Sequence, residues 1–149
     1  MFEINLENIT KYIMESYPNS CIAVNYNGLY EPTLEECIDF FYYEKLKWCG
    51  CGDPDMAKRV VRDYLRILNE DDLYYKNTNN ANNAYSRKCK MFSERFGVQT
   101  VYDNELLLCL AYTLDAAEFT EHGSGIGGAW ITSEGKMFLW LLENEKDVF

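Results

Sequence analysis

The sequence predicts a mainly α-helical fold with a small β component: about six helices and one C-terminal hairpin. Three observations carry that expectation. Apolar residues return at helical spacing along most of the 149-residue chain. Helix-start signals recur, in Thr33-x-x-Glu36 and in Asp53-Pro54. The run 118–132 carries two strand-like segments that flank a glycine cluster. The length is that of a single domain, expected over 1–149, and 48% hydrophobic residues suffice for a core without disulfides or metal.

Residues 4–16 place Ile4, Leu6, Ile9, Ile13 and Met14 on one helical stripe, and Tyr17-Pro18 ends it because the residue before proline is pushed from helical angles. Cys21 to Tyr26 reads as a short strand followed by an Asn27-Gly28 turn. The capping box at Thr33 starts a second helix through Phe41, Tyr42 and Leu46 towards Trp48, stopped by Gly50 and Gly52. Asp53 as N-cap and Pro54 at the first helical position open a third. It is expected to bury Met56, Val60, Val61, Tyr64, Leu65 and Leu68, and its other face carries Lys58, Arg59, Arg62 and Arg66. The asparagine-rich stretch 76–83 reads as a loop between an N-terminal helical half and a C-terminal half, since asparagine competes for backbone hydrogen bonds. A fourth helix through Tyr85, Lys88, Cys89, Phe92 and Phe96 stops at Gly97. Asp103 is the expected cap of a fifth, whose all-round apolar character (Leu106 to Leu110, Leu114) suggests the centre of the core. Glu118–His122 and Ala129–Thr132 are expected to pair as strands around a flexible Gly123–Gly128 loop. A last helix then runs from Glu134 to Glu145, capped by Thr132 or Ser133.

Charge is unevenly placed. The net charge is −10, yet residues 45–95 carry +4 while 1–44 and 96–149 carry −7 each. The overall balance excludes a generally basic nucleic-acid coat and opposes adsorption to anionic membranes. No run approaches the roughly 20 apolar residues of a membrane span. The opening residues lack a basic-then-apolar export layout, so a cytoplasmic protein is expected.

Candidate chemistry is sparse. Cys49 and Cys51 form the one tight cysteine pair, and Cys89 and His122 complete four metal ligands only if the fold gathers all four. The Asp53-Pro54 helix start beside the pair also invites a lowered-pKa thiol. A tight glycine turn with incidental thiols is the favoured account. Gly123-x-Gly125-x-x-Gly128 formally fits a dinucleotide fingerprint, but a strand rather than a helix follows it. With one histidine, a Ser-His-Asp or Cys-His site must use His122, and no nucleophile elbow, HExxH or P-loop spacing occurs. No catalytic set and no cofactor are expected.

The order helix, glycine-tipped hairpin, Ile131-Thr132-Ser133-Glu134-Gly135-Lys136, helix resembles the wing segment of winged-helix proteins over roughly residues 103–145. The stretch from Glu121 through Thr132 and the segment Trp48-Cys49-Gly50-Cys51-Gly52 are similar to small uncharacterised phage and prophage proteins. That resemblance implies a bacterial host cytoplasm and an accessory role. Winged-helix folds serve both DNA and protein recognition, so fold alone does not choose between them. Acids on the wing segment disfavour DNA.

The expectation is a non-enzymatic acidic protein that binds a host or defence protein with a basic surface, itself possessing or lacking nucleic-acid affinity. The basic stripe Lys58, Arg59, Arg62, Arg66 and the tip Gly123, Ser124, Gly125, Ile126 are its candidate contacts. The alternative is a winged-helix DNA-binding regulator reading DNA through the 58–66 stripe.

Overall fold

The structure, a computed structural model, describes residues 3–25, 31–47, 53–79 and 84–145. Among these described residues the regular elements are seven α-helices and one two-stranded antiparallel sheet, with a π-helical segment and 3₁₀ turns between them. The mainly α class with a small β component is therefore the observed one. No described helix is long and apolar enough to cross a membrane.

Helix α1 (Leu6–Ser16) begins at Asn5, whose side chain accepts the Asn8 amide at 2.8 Å. Helix α2 (Cys21–Asn25) replaces the expected strand. Ser20 Oγ accepts the Ala23 amide at 3.1 Å, a local cap that turns the chain helically where β-branched composition alone suggested extension. The Asn27-Gly28 turn lies outside the described residues. Helix α3 (Leu34–Asp39) carries the expected capping box, with Thr33 and Glu36 bonded reciprocally. It runs into a π-helical segment, Phe40–Leu46, that ends at Lys47 with φ +54°. The wider turn directs Phe40, Phe41 and Tyr42 inward and leaves Tyr43 exposed. Trp48 and the Gly50 and Gly52 stops lie outside the described residues.

Helix α4 (Pro54–Thr78) starts as expected, with Asp53 accepting the Asp55 amide. It is longer than expected. The last helical turn absorbs residues 76–78, and Asn79, not the start of the asparagine-rich run, closes the helix in a left-handed conformation (φ +53°) that asparagine tolerates. Met56, expected in the buried stripe, is exposed in the first turn, while Ile67 joins the core. Helix α5 (Ala84–Phe96) ends at Gly97, with φ +73°. A 3₁₀ turn, Val101–Asp103, follows, so the cap of α6 (Glu105–Ala116) is Asn104 rather than Asp103.

Helix α6 is not central. Leu107, Leu110, Ala111 and Leu114 are buried, whereas Leu106, Cys109 and Tyr112 face outward. An apolar pattern all round a helix records composition, and here only one side has a neighbour to pack against.

Strands β1 (Thr120–Glu121) and β2 (Trp130–Ile131) pair with Thr120 opposite Ile131 and Glu121 opposite Trp130. They are shorter than expected because the connection carries its own 3₁₀ turn, Ile126–Gly128. Helix α7 (Ser133–Glu143) is capped by Thr132. That hydroxyl accepts the Gly135 amide at 3.0 Å and donates to the Glu118 carbonyl at 2.8 Å, tying hairpin to helix. A Cβ at Gly135 would collide with the Phe119 carbonyl oxygen, so glycine is what lets α7 lie on the chain entering β1.

One contiguous buried cluster runs from Ile9 to Leu142. At its centre Phe41, Phe119 and Phe138 meet, with ring centroids 4.8–5.6 Å apart. These rings come from the π-helical segment, the hairpin approach and α7, so the two ends of the chain share a core.

Candidate functional site

The basic stripe of α4 is the first candidate, and its spacing does place the cations along one helix. Their surroundings remove most of their charge from the surface. Lys58 is buried, its Nζ 5.4 Å from the Tyr42 ring centroid and 5.9 Å from that of Tyr43. Asp63 collects three guanidiniums: Arg62 at 3.0 Å, Arg95 of α5 at 2.8 Å and Arg66 at 3.9 Å. Arg66 also pairs with Glu143 of α7 at 3.3 Å. Glu70 and Glu94 line the same cleft of about 330 Å³. Arg59 is exposed and has no carboxylate partner among the described residues. A phosphate approaching this face would meet guanidiniums already held by carboxylates.

The hairpin tip divides. Gly123 and Ser124 are exposed and Gly125 is half-buried, but Ile126 is in the core and its side chain is closed to a partner. The tip is held rather than free. Tyr102 Oη accepts the Gly127 amide at 3.0 Å. A Cβ at Gly127 would stand 2.6 Å from the Tyr102 ring, so the absence of a side chain lets the loop lie on it.

Of the metal candidates, Cys49 and Cys51 lie outside the described residues. Cys89 is half-buried on α5, and His122 Nδ1 stands 3.0 Å from Asp115 Oδ1. Among the described residues no three His, Cys, Asp or Glu side chains are placed to hold a metal ion. The thiol of Cys21 is pushed up to about 11 by burial and the nearby Glu44 carboxylate, and burial raises that of Cys37. Neither has the electropositive setting of a reactive thiolate.

A polar cluster that sequence reasoning missed is built around Glu134, in the first turn of α7. Its buried carboxylate accepts Tyr12 Oη at 2.7 Å and Tyr17 Oη at 2.8 and 2.9 Å. Lys45 Nζ stands 3.6 Å from the same carboxylate and 4.9 Å from the Tyr17 ring centroid. Burial first, and then the carboxylate, push both tyrosine hydroxyls well above their ordinary range, so they remain donors. An open cleft of about 460 Å³ adjoins Tyr17, Phe40 and Lys45. Both carboxylate oxygens are engaged from the protein side. The arrangement is a clasp joining α1, the π-helical segment and α7, and the groups left facing the cleft are the exposed Glu44 and Lys47 beside Lys45. An acid in a first helical turn is a readable signal, but its tyrosine partners lie 117 and 122 residues away.

No family model, curated protein or solved structure matches this chain.

Proposed function

We propose that this chain is a non-enzymatic acidic binding protein that acts by covering a basic surface on a protein partner. One observation carries the reading: the arginines 62, 66 and 95 are held by the chain's own carboxylates, chiefly Asp63, so of the arginines in the α4 stripe Arg59 alone stands without a carboxylate partner among the described residues, against a net charge of −10. The surrounding field then favours a partner of opposite sign and accelerates encounter with it. It also repels duplex phosphates, which counts against a DNA-reading role for the hairpin. The two short resemblances to phage proteins extend the reading to a host or defence protein in a bacterial cytoplasm, including one whose own ligand is nucleic acid.

The experiment is affinity capture from bacterial lysate with and without nuclease, followed by association kinetics with the purified partner. A single basic protein retained after nuclease is expected, with an association rate falling by about tenfold or more between low and high salt. Recovery that vanishes with nuclease, or a rate indifferent to salt, overturns the reading.

A further inference from the structure

Resting on that reading, we propose that the outward face of α6 is the docking surface, and that it receives a basic amphipathic helix of the partner. Five residues of α6 face solvent: Glu105, Leu106, Cys109, Tyr112 and Ala116. Four of the five are uncharged, and Leu106 and Tyr112 keep 48% and 52% of their surface exposed. Spacings of three and four residues align these positions as one stripe, about 18 Å long for a 12-residue helix. Exposed helix faces ordinarily carry charge, so among the described residues this stripe is an unpartnered apolar face. Tyr102, 52% exposed, precedes it in the 3₁₀ turn and has its hydroxyl and ring fixed against the hairpin tip. Exposed tyrosines suit an interface, since they bury large area at little entropic cost, and Tyr102 is already held in place.

Charge selects the occupant. From residue 96 to residue 135 the chain contains no Lys or Arg, while Asp103, Glu105, Asp115, Glu118, Glu121 and Glu134 fall within it. Asp115 faces His122, and Glu134 is enclosed, but Asp103 and Glu105 stand exposed at the start of the stripe. A second copy would bring the same acids to the same acids, with no cation in this stretch to separate them. A nucleic acid would find no Lys or Arg from this stretch. A helix bearing an apolar stripe with flanking lysines or arginines meets both features: its apolar side chains cover Leu106 and Tyr112, and its cations reach Asp103 and Glu105.

The test uses the full chain and two synthetic peptides of identical Leu and Lys composition, one amphipathic as a helix and one scrambled. Fluorescence anisotropy should show the amphipathic peptide binding about tenfold tighter than the scrambled one. The double variant Leu106→Ala/Tyr112→Ala should lose about tenfold of that affinity, a usual loss for truncated aromatic anchors. Met56→Ala/Tyr75→Ala, altering exposed side chains of α4, should lose none. Backbone amide shifts should change between residues 102 and 116. Equal affinity in the α6 double variant, or shifts elsewhere, overturns the surface while leaving the acidic-binding reading in place if binding still falls with salt. No affinity for either peptide at low salt removes both. A dimer in sedimentation that disappears in Leu106→Ala/Tyr112→Ala would assign the face to a second copy and overturn the proposal.

Discussion

Two carboxylates organise the polar interior of this molecule, and they do opposite things. Glu134 binds two neutral hydroxyls and one ammonium from elements more than 80 residues away in sequence. Asp63 binds three guanidiniums, two of them on its own helix. Their side chains are about equally enclosed, at 9% and 12% exposure. Their partners differ in part: Lys45 beside Glu134 is 16% exposed and Arg62 beside Asp63 is 12% exposed, but Arg66 and Arg95, also on Asp63, are 37% and 49% exposed. A carboxylate whose partners are largely shielded from water holds the fold. One whose partners can reach water sets the surface potential.

The sharpest way to break this contrast is to remove Glu134. Glu134→Ala leaves the Tyr12 and Tyr17 hydroxyls and Lys45 without their common acceptor, at an expected cost of about 3 kcal/mol. For a chain of this size that lowers Tm by roughly 10 °C, measured by calorimetry. Glu134→Gln keeps one acceptor oxygen and should cost about half as much. A loss below about 1 kcal/mol in the alanine variant would mean that the clasp is not structural.

Alkaline titration probes the same clasp without mutation. The hydroxyls of Tyr12 and Tyr17 are raised by burial and by Glu134, burial raises Tyr64, and Tyr42 is pushed up to about 12, again by burial. The folded state therefore holds these protons more tightly than the unfolded chain, whose tyrosines titrate near 10. Their contribution is complete below about pH 10 and is lost as pH rises above it. Tyrosinate absorbance from this buried set should appear together with the loss of near-UV circular dichroism. Full ionisation of every tyrosine with the dichroism intact would contradict their placement.

The contrast also marks what a sequence can disclose. Signals confined to a few residues were legible: the Thr33 box, Asp53-Pro54, and the Thr132 cap two residues before Glu134 and three before Gly135. So was the pairing around the glycine loop, though not its 3₁₀ turn. The run 21–25 misled because one serine hydroxyl decided between strand and helix. Helix α6 misled because hydrophobic pattern does not report how many sides of a helix are covered. Lys58, Arg59, Arg62 and Arg66 were readable as a stripe. Arg95 on α5 and Glu143 on α7 were not, since their approach depends on helix packing. The Glu134 clasp was the least legible, because every partner is distant in the chain.

The smallest stability effect belongs to Asp63. Asp63→Ala should cost less than Glu134→Ala, about 1–2 kcal/mol, because the freed guanidiniums of Arg66 and Arg95 already reach solvent and can be hydrated, and only Arg62 is left enclosed. Its effect on the surface should be larger than its effect on the fold. The net charge changes only from −10 to −9, but three arginines lose a shared counter-charge on one face. On an immobilised heparin column at low salt the parent chain should flow through and the variant should be retarded, with retention lost as salt screens the face. Charge repulsion from the acidic ends of the chain would keep that retention weak. Retention of the parent chain itself would show that Asp63 does not silence the stripe and would return the DNA-binding alternative to first place. A loss of several kcal/mol on removing Asp63 would erase the distinction between the two carboxylates, since both would then hold the fold.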